Sequence, residues 1–406
     1  MALRDTTEKV GMGRVLIVTT SYPLTKSTAS GVFVRDLVNA IADRDAEVYV
    51  VCPDNDCSVQ TDAFVHPVRY AVCRHWQTLT HGPGGMPVAI RNNRWQLLSL
   101  SILLLRMGWA VFRRKNYTDV ILANWSLAGL IAVPSAISGK PLFTILRGSD
   151  MHGGGFLKRL ALRVVIWGSQ KVVCVSSPMK EMLINWFPSK RDKIVCIPNG
   201  VDRRFSEVAQ TRSYRSDSNS RLRLIYVGNV VASKRVDVLV NALAKIKHSQ
   251  SIDAHLEIFG DGDVVGEIND LICSLNLNDR VALRGAVGRI DIIEALRSSD
   301  IFVFASELEG RPNAVVEAMA TGLPCICANI PPLADLVISG EDGLLFAPGE
   351  ATELASYIMQ LANCPNIAEK LGRSGAKKIL ESGFSWNGAA MKYEELILAC
   401  KKTHIN

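Results

Sequence analysis

Short, wholly apolar runs alternate with longer amphipathic stretches over most of the 406 residues. Residues 14–20 read Arg-Val-Leu-Ile-Val-Thr-Thr, apolar without alternation, the pattern of a strand buried on both faces. A loop with Ser21, Pro23, Ser27 and Gly31 follows. A helix is predicted over 32–43 and a second strand over 47–52, so the chain opens as a βαβ unit. Further strands are predicted at 119–123, 142–146 and 172–175. The rhythm restarts with a strand at 224–227. Helices at 236–247, 264–275, 290–297 and 315–320 then alternate with strands at 255–259, 281–284, 301–304 and 324–328. Two successive doubly wound, Rossmann-like α/β domains are expected.

Breaks in the pattern set the boundaries. Residues 54–94 are irregular, with Pro67, Pro87 and the run Gly82-Pro83-Gly84-Gly85, and read as variable loops. The polar, Ser- and Arg-rich run 203–223 reads as the interdomain connection. The expected organisation is an N-terminal segment 1–13, a first domain 14–205, a linker 206–223, a second domain 224–384 and a C-terminal helix 385–406.

Charge divides the chain. Residues 1–205 hold 26 Lys and Arg against 14 Asp and Glu, a net +12, while 206–406 hold 20 against 25, a net −5. The first half should face something anionic. Without an aromatic-interleaved basic motif, nucleic acid is not the expected partner, and a membrane surface or phosphate-bearing acceptor is. The stretch 95–112 is apolar, with Arg91, Arg94, Arg113, Arg114 and Lys115 around it and Arg106 at its centre. It reads either as a buried helix of the first domain or as an interfacial helix dipping into a bilayer. The ten Cys show no Cys-x-x-Cys pair and several lie in apolar strands, as reduced thiols of a cytoplasmic protein would. No secretory signal is read before Arg14. The seven His lack metal-ligand spacing.

Candidate chemistry concentrates between Phe302 and Pro324. A strand runs into a turn carrying Glu309, Pro312 opens a helix, Glu317 lies inside it, and Gly322 with Pro324 ends it. Glu309 would stand at the carboxyl end of a strand, where open α/β sheets bind ligands. Backbone N–H groups around 313–315 would lie between the two carboxylates as an anion site. Hydroxyls at both ends and phosphates in the middle describe a nucleotide sugar. By themselves, the two Glu read as a solvated loop residue and a helix-surface residue of an ordinary βα unit.

The wording Glu309-Gly-Arg-Pro-Asn, then Glu317-Ala-Met-Ala-Thr-Gly-Leu-Pro, resembles the donor signature of the family-four retaining glycosyltransferases. The resemblance extends through Ile197-Pro198-Asn199-Gly200-Val201-Asp202, Tyr226-Val227-Gly228, Lys234, Phe259-Gly260-Asp261-Gly262 and Gly340-Glu341-Asp342-Gly343. It implies the GT-B fold, two Rossmann-like domains facing a central cleft, with the last helix crossing back to the first domain. Apolar Met391, Leu396, Ile397 and Cys400 would seat that helix.

The resemblance also implies roles. Glu309 would hold the donor sugar, Lys234 the diphosphate and Glu317 the ribose, with Gly31, Gly228, Arg311, Pro312, Asn313, Ala314 and Val287 lining the donor. Arg usually stands where this chain has Asn229, and Gly where it has Arg235; Arg235 would then compensate for the missing charge or sit in solvent. His usually stands where this chain has Arg147, beside the reacting carbon. Arg cannot serve as a base at neutral pH. In the front-face mechanism proposed for such enzymes, the leaving phosphate takes the acceptor proton, and Arg147 would steady that phosphate or an acidic sugar. Asp150 and His152 are acceptor-side candidates, each read equally as a helix cap or a surface residue. No metal and no cofactor are implied, the nucleotide sugar being substrate. The reaction implied is transfer of a hexose-type sugar from a UDP- or GDP-sugar to a glycan or polyprenyl-diphosphate-linked acceptor. The alternatives are a donor-binding scaffold without turnover and a sugar-nucleotide epimerase of the same fold.

Overall fold

The computed structural model of the protein describes residues 11–24, 31–54, 64–68, 78–81, 86, 89–90, 93–151, 155–215, 221–249 and 252–402. They build two parallel sheets. The first holds β1 (Arg14–Thr19), β2 (Glu47–Pro53), β3 (Phe64–Val68), β4 (Val120–Asn124), β5 (Leu142–Leu146), β6 (Lys171–Cys174) and β7 (Ile194–Cys196), in the order β3-β2-β1-β4-β5-β6-β7. The second holds β8 (Leu222–Val227), β9 (Ala254–Phe259), β10 (Val281–Gly285), β11 (Ile301–Phe304), β12 (Cys325–Ala328) and β13 (Leu344–Phe346), in the order β10-β9-β8-β11-β12-β13. The expected pair of α/β domains is present. In each sheet the order reverses beside its first strand, at β1/β4 and at β8/β11. A crevice opens at such points beyond the carboxyl ends of the strands.

The strands form because their apolar runs bury both faces, as helices cover each sheet. Every residue of β4, β5, β11 and β12 is buried. Three strands were not foreseen. β3 falls in the region read as irregular and contains Pro67, which an edge strand tolerates because one side of its backbone pairs with nothing. β7 and β13 have only three residues each, too few for a periodicity to register.

The run read as a linker needs correction. Its first part is a helix, Arg203–Thr211, which buries Phe205 and Val208 in the core of the second domain. Asp202 caps it, accepting from Arg204 N at 3.0 Å. Arg212 then donates to Thr321 O at 2.6 Å, Ser299 O at 3.0 Å and Leu296 O at 2.6 Å. Its polar composition hid one i, i+3 apolar pair, sufficient to dock the segment.

The chain passes between the domains twice, side by side. Val201 N donates to Phe384 O at 2.8 Å, and Val201 pairs with Ser385 in a short bridge. The last helix, Trp386–Lys402, buries Ala389, Ala390, Tyr393 and Ile397 in the first domain's core. Leu396 and Cys400 are partly covered there, whereas Met391 is exposed. Arg44 Nε to Glu394 (2.7 Å) and Lys401 Nζ to Met12 O (3.0 Å) fasten it.

Candidate active site

The carboxyl ends of both sheets face one cleft. From the second domain, Glu309 lies five residues beyond β11, in the loop before the helix Asn313–Ala320. Lys234 ends the 3-10 turn Ala232–Lys234 that follows β8. The two side chains form an ion pair, and both are largely shielded, 18% and 9% exposed. Lys234 also stands 5.8 Å over the Phe304 ring. Cation and carboxylate therefore share one position, where a sugar hydroxyl and a phosphate could each take one of them.

Asn229 is exposed, and its carbonyl oxygen accepts from Tyr226 Oη at 2.8 Å. Arg235 has φ +49°, the left-handed region that explains why glycine suits this place. Its guanidinium bonds Asp237 at 3.0 Å and pairs with Glu307. Gly228 lies under this turn, its N–H donating to Phe259 O at 2.9 Å.

On the first-domain wall Arg147 directly follows β5. It is 6% exposed, with Nη1 donating to Asn199 Oδ1 at 2.6 Å and Nη2 to Asn124 Oδ1 at 2.8 Å. Its guanidinium lies 4.4 Å over Phe33 and 5.8 Å from Trp125. Nε finds no acceptor among the described residues. Burial lowers its pKa to about 10, so it remains charged at neutral pH. Asn199 Nδ2 continues the chain to Asn313 Oδ1 at 3.1 Å, at the start of the second domain's helix. Asp150 is buried and accepts from Ser126 N (3.0 Å), Ser126 Oγ (2.6 Å) and Arg147 N (2.8 Å). It ties the start of the helix Ser126–Ile137 to the residue that follows β5. His152 lies outside the described residues.

The walls touch at two glycines. A Cβ on Gly148 would lie 2.6 Å from Gly310 N, and one on Gly310 would lie 2.2 Å from Gly148 Cα. Backbone meets backbone there, with Arg147 and Glu309 as the adjoining residues. Gly31 has φ +78° and opens the helix Val32–Ala42, its Cβ position closed by Ser21 O at 2.7 Å. That helix carries Phe33 and Asp36 to the cleft.

Glu317 borders a cluster that sequence reading missed. Arg289, at the start of the helix Arg289–Ser298, meets Asp36 Oδ2 at 2.7 Å, Asp202 Oδ2 at 3.1 Å and Glu317 Oε1 at 3.9 Å. Burial pushes the Glu317 carboxyl up to about 7, with Arg289 pulling the other way. Arg289 thus ties the helix Val32–Ala42 of one domain to the second. Asp202 ends the motif run that starts at Ile197, whereas Arg289 and Asp36 stand in no motif.

The N–H groups expected to lie free at 313–315 are partly used: Asn313 donates to Arg311 O and Val315 to Pro312 O, each at 3.0 Å. Arg311 stacks 4.4 Å over Phe384 at the crossover, and its Nε and Nη2 have no acceptor among the described residues. Pro312 is buried, and Ala314 and Val287 pack partly buried against the second core.

Two carboxylates, a shielded lysine and a buried arginine border one cleft between two parallel-sheet domains, the architecture of a GT-B glycosyltransferase. The chain belongs to the glycosyltransferases: the domain described as Glycosyltransferase Family 4 matches residues 30–205, and that described as Glycosyl transferases group 1 matches 211–378. Glycogen synthase of Mycobacterium tuberculosis (strain H37Rv) is 24% identical over 404 residues, 96% of this chain and 95% of its own. The Escherichia coli UDP-Gal:alpha-D-GlcNAc-diphosphoundecaprenol alpha-1,3-galactosyltransferase is 28% identical over 266 residues, 61% of this chain and 66% of its own. The crystal structure of Anabaena HepE in complex with UDP-glucose superposes with a TM-score of 0.71 at 18% identity, covering 95% of this chain and 99% of that one.

Proposed function

We propose that this enzyme moves a hexose-type sugar, with retention of its anomeric configuration, from a UDP- or GDP-sugar to a hydroxyl of a glycan or polyprenyl-diphosphate-linked acceptor in polysaccharide assembly at the cytoplasmic face of the membrane. The observation that carries the reading is the Lys234–Glu309 pair at the mouth of the second sheet, opposite Arg147. The UDP-glucose held by the HepE structure and the lipid-diphosphate acceptor in the E. coli relative's name support it.

In this reaction the bond from the anomeric carbon to the diphosphate breaks, and the negative charge on the leaving phosphate grows. Lys234 and the buried Arg147 are cations fixed before the reaction, and fixed charge in a shielded cleft stabilises such a transition state most. Glu309 accepts hydrogen bonds from sugar hydroxyls and sets the ring against the acceptor. Glu317 accepts from the ribose. Arg147 stays protonated, so the departing phosphate oxygen receives the acceptor proton as the new glycosidic bond forms on the same face.

The test is transfer with a panel of UDP- and GDP-sugars and polyprenyl-diphosphate-linked glycans, the product's anomeric configuration being read by NMR. Expected is one donor turned over with retention. Nucleotide-sugar binding without turnover on any acceptor would make this a donor-binding scaffold, and an inverted product would overturn the same-face step.

A further inference from the structure

Two helices of the first domain turn large apolar side chains outward. The helix Gln96–Arg114 buries Gln96, Ser99, Leu103, Met107 and Val111. Leu98, Leu105, Trp109 and Phe112 remain exposed, Leu105 by 76% and Trp109 by 63%. Their spacing of three, four or seven puts them in one stripe. Two polar residues are thus covered while Leu and Trp face out, the reverse of ordinary placement. The helix Phe156–Gly168 repeats this: Leu162, Val165 and Ile166 are buried, whereas Phe156 is 81%, Leu157 78% and Trp167 62% exposed. Both helices pack against Ser126–Ile137, whose Ile137 is also exposed. A cluster of this kind marks an interaction surface.

Charge says what covers it. Residues 91–168 contain eleven Lys and Arg against two Asp and Glu. Both acids are engaged, Asp119 by Arg14 at 2.9 Å and Asp150 by Ser126 and Arg147. The two helices carry Arg106, Arg113, Arg114, Lys158, Arg159 and Arg163 and no acid. Apolar stripes beside cations alone complement an anionic lipid surface: the stripes enter the acyl boundary and the cations meet the phosphates. Among the described residues one helix is long and apolar enough to cross a bilayer, Gln96–Tyr117. Its Leu103, Met107 and Val111 close the core beneath β1 and β4, so it lies along a surface rather than crossing one.

We infer that the helices Gln96–Arg114 and Phe156–Gly168 together form a docking face for an anionic bilayer. The face lies outside the cleft, so its test is independent of sugar transfer. The full chain is sedimented with vesicles of phosphatidylcholine alone or containing about one third phosphatidylglycerol. Anionic vesicles should bind it at least about tenfold more tightly than neutral ones, and salt should weaken binding. The double substitutions Leu105→Ser/Trp109→Ser and Leu157→Ser/Trp167→Ser should each cut binding at least about tenfold. Leu380→Ser, 73% exposed on the second domain, should not. The far-ultraviolet circular dichroism and melting temperature of each variant confirm its fold. Equal binding to neutral vesicles overturns the proposal. So does vesicle binding that either double variant retains, or a dimer dispersed by these substitutions in a protein that binds no vesicle.

Discussion

The second-domain wall of the cleft holds a cation and a carboxylate that neutralise each other, Lys234 and Glu309, and a further carboxylate, Glu317, held only loosely by Arg289. The first-domain wall holds the cation Arg147, tied by Asn124 and Asn199 carbonyls and stacked on Phe33, with no carboxylate among the described residues bonded to its guanidinium. One wall keeps its charges in a pair that a polar ligand can divide. The other holds a positive charge that its neighbours orient without cancelling. A diphosphate leaving group needs both: groups that exchange partners on binding, and a charge already in position when the bond breaks.

The sharpest way to break this comparison is Glu309→Ala. Transfer should fall about 10²–10³-fold, with melting temperature kept and nucleotide binding little changed. Retained activity would remove the second wall from the chemistry. Arg147→His asks whether position or mere polarity matters on the first wall. The shorter side chain cannot span Asn124 and Asn199, so kcat should drop at least about tenfold, with stability lowered by about 1–3 kcal/mol from the buried amides left without a partner. A gain in rate would mean that the arginine impairs catalysis.

Glu317→Gln sharpens the charge argument through pH. The carboxyl titrates near 7 in the folded protein instead of 4.5, so the folded state holds its proton more tightly than the unfolded chain. Its contribution to stability is present below about 4.5 and is lost as pH rises through 7. The melting temperature of the native protein should therefore fall between pH 5 and 8 more than that of the Gln variant. Nucleotide affinity should rise over the same range only in the native protein. Arg235→Gly is the smallest test: relief of a left-handed backbone and loss of the Asp237 and Glu307 contacts should nearly cancel, within about 1 kcal/mol. Unchanged kcat would keep Arg235 out of the phosphate site.

Much of the second wall was legible because its residues stand in short words: strand, turn, Glu309, helix, Glu317. Local order in the chain there is local order in space. The Arg147 environment was not, since Phe33, the consecutive Asn124 and Trp125, and Asn199 come from three separate segments that only the seven-stranded sheet gathers. Arg289, Asp36 and Asp202 were hidden for the same reason. The strands themselves were readable where both faces are buried, and β3 was lost because an edge strand carries the proline and weak pattern that ordinarily argue against one.

The Gly148–Gly310 contact bears on how the two halves move. Surfaces with side chains interlock, and opening them means finding new rotamers on both sides. Two bare backbones have nothing to unlatch and behave as a smooth bearing. Resistance to opening then resides in the polar contacts that cross the cleft, Arg289 to Asp36 at 2.7 Å and Asn199 to Asn313 at 3.1 Å. A swing about the two glycines would exchange only these polar contacts, with no side chain to repack at the bearing.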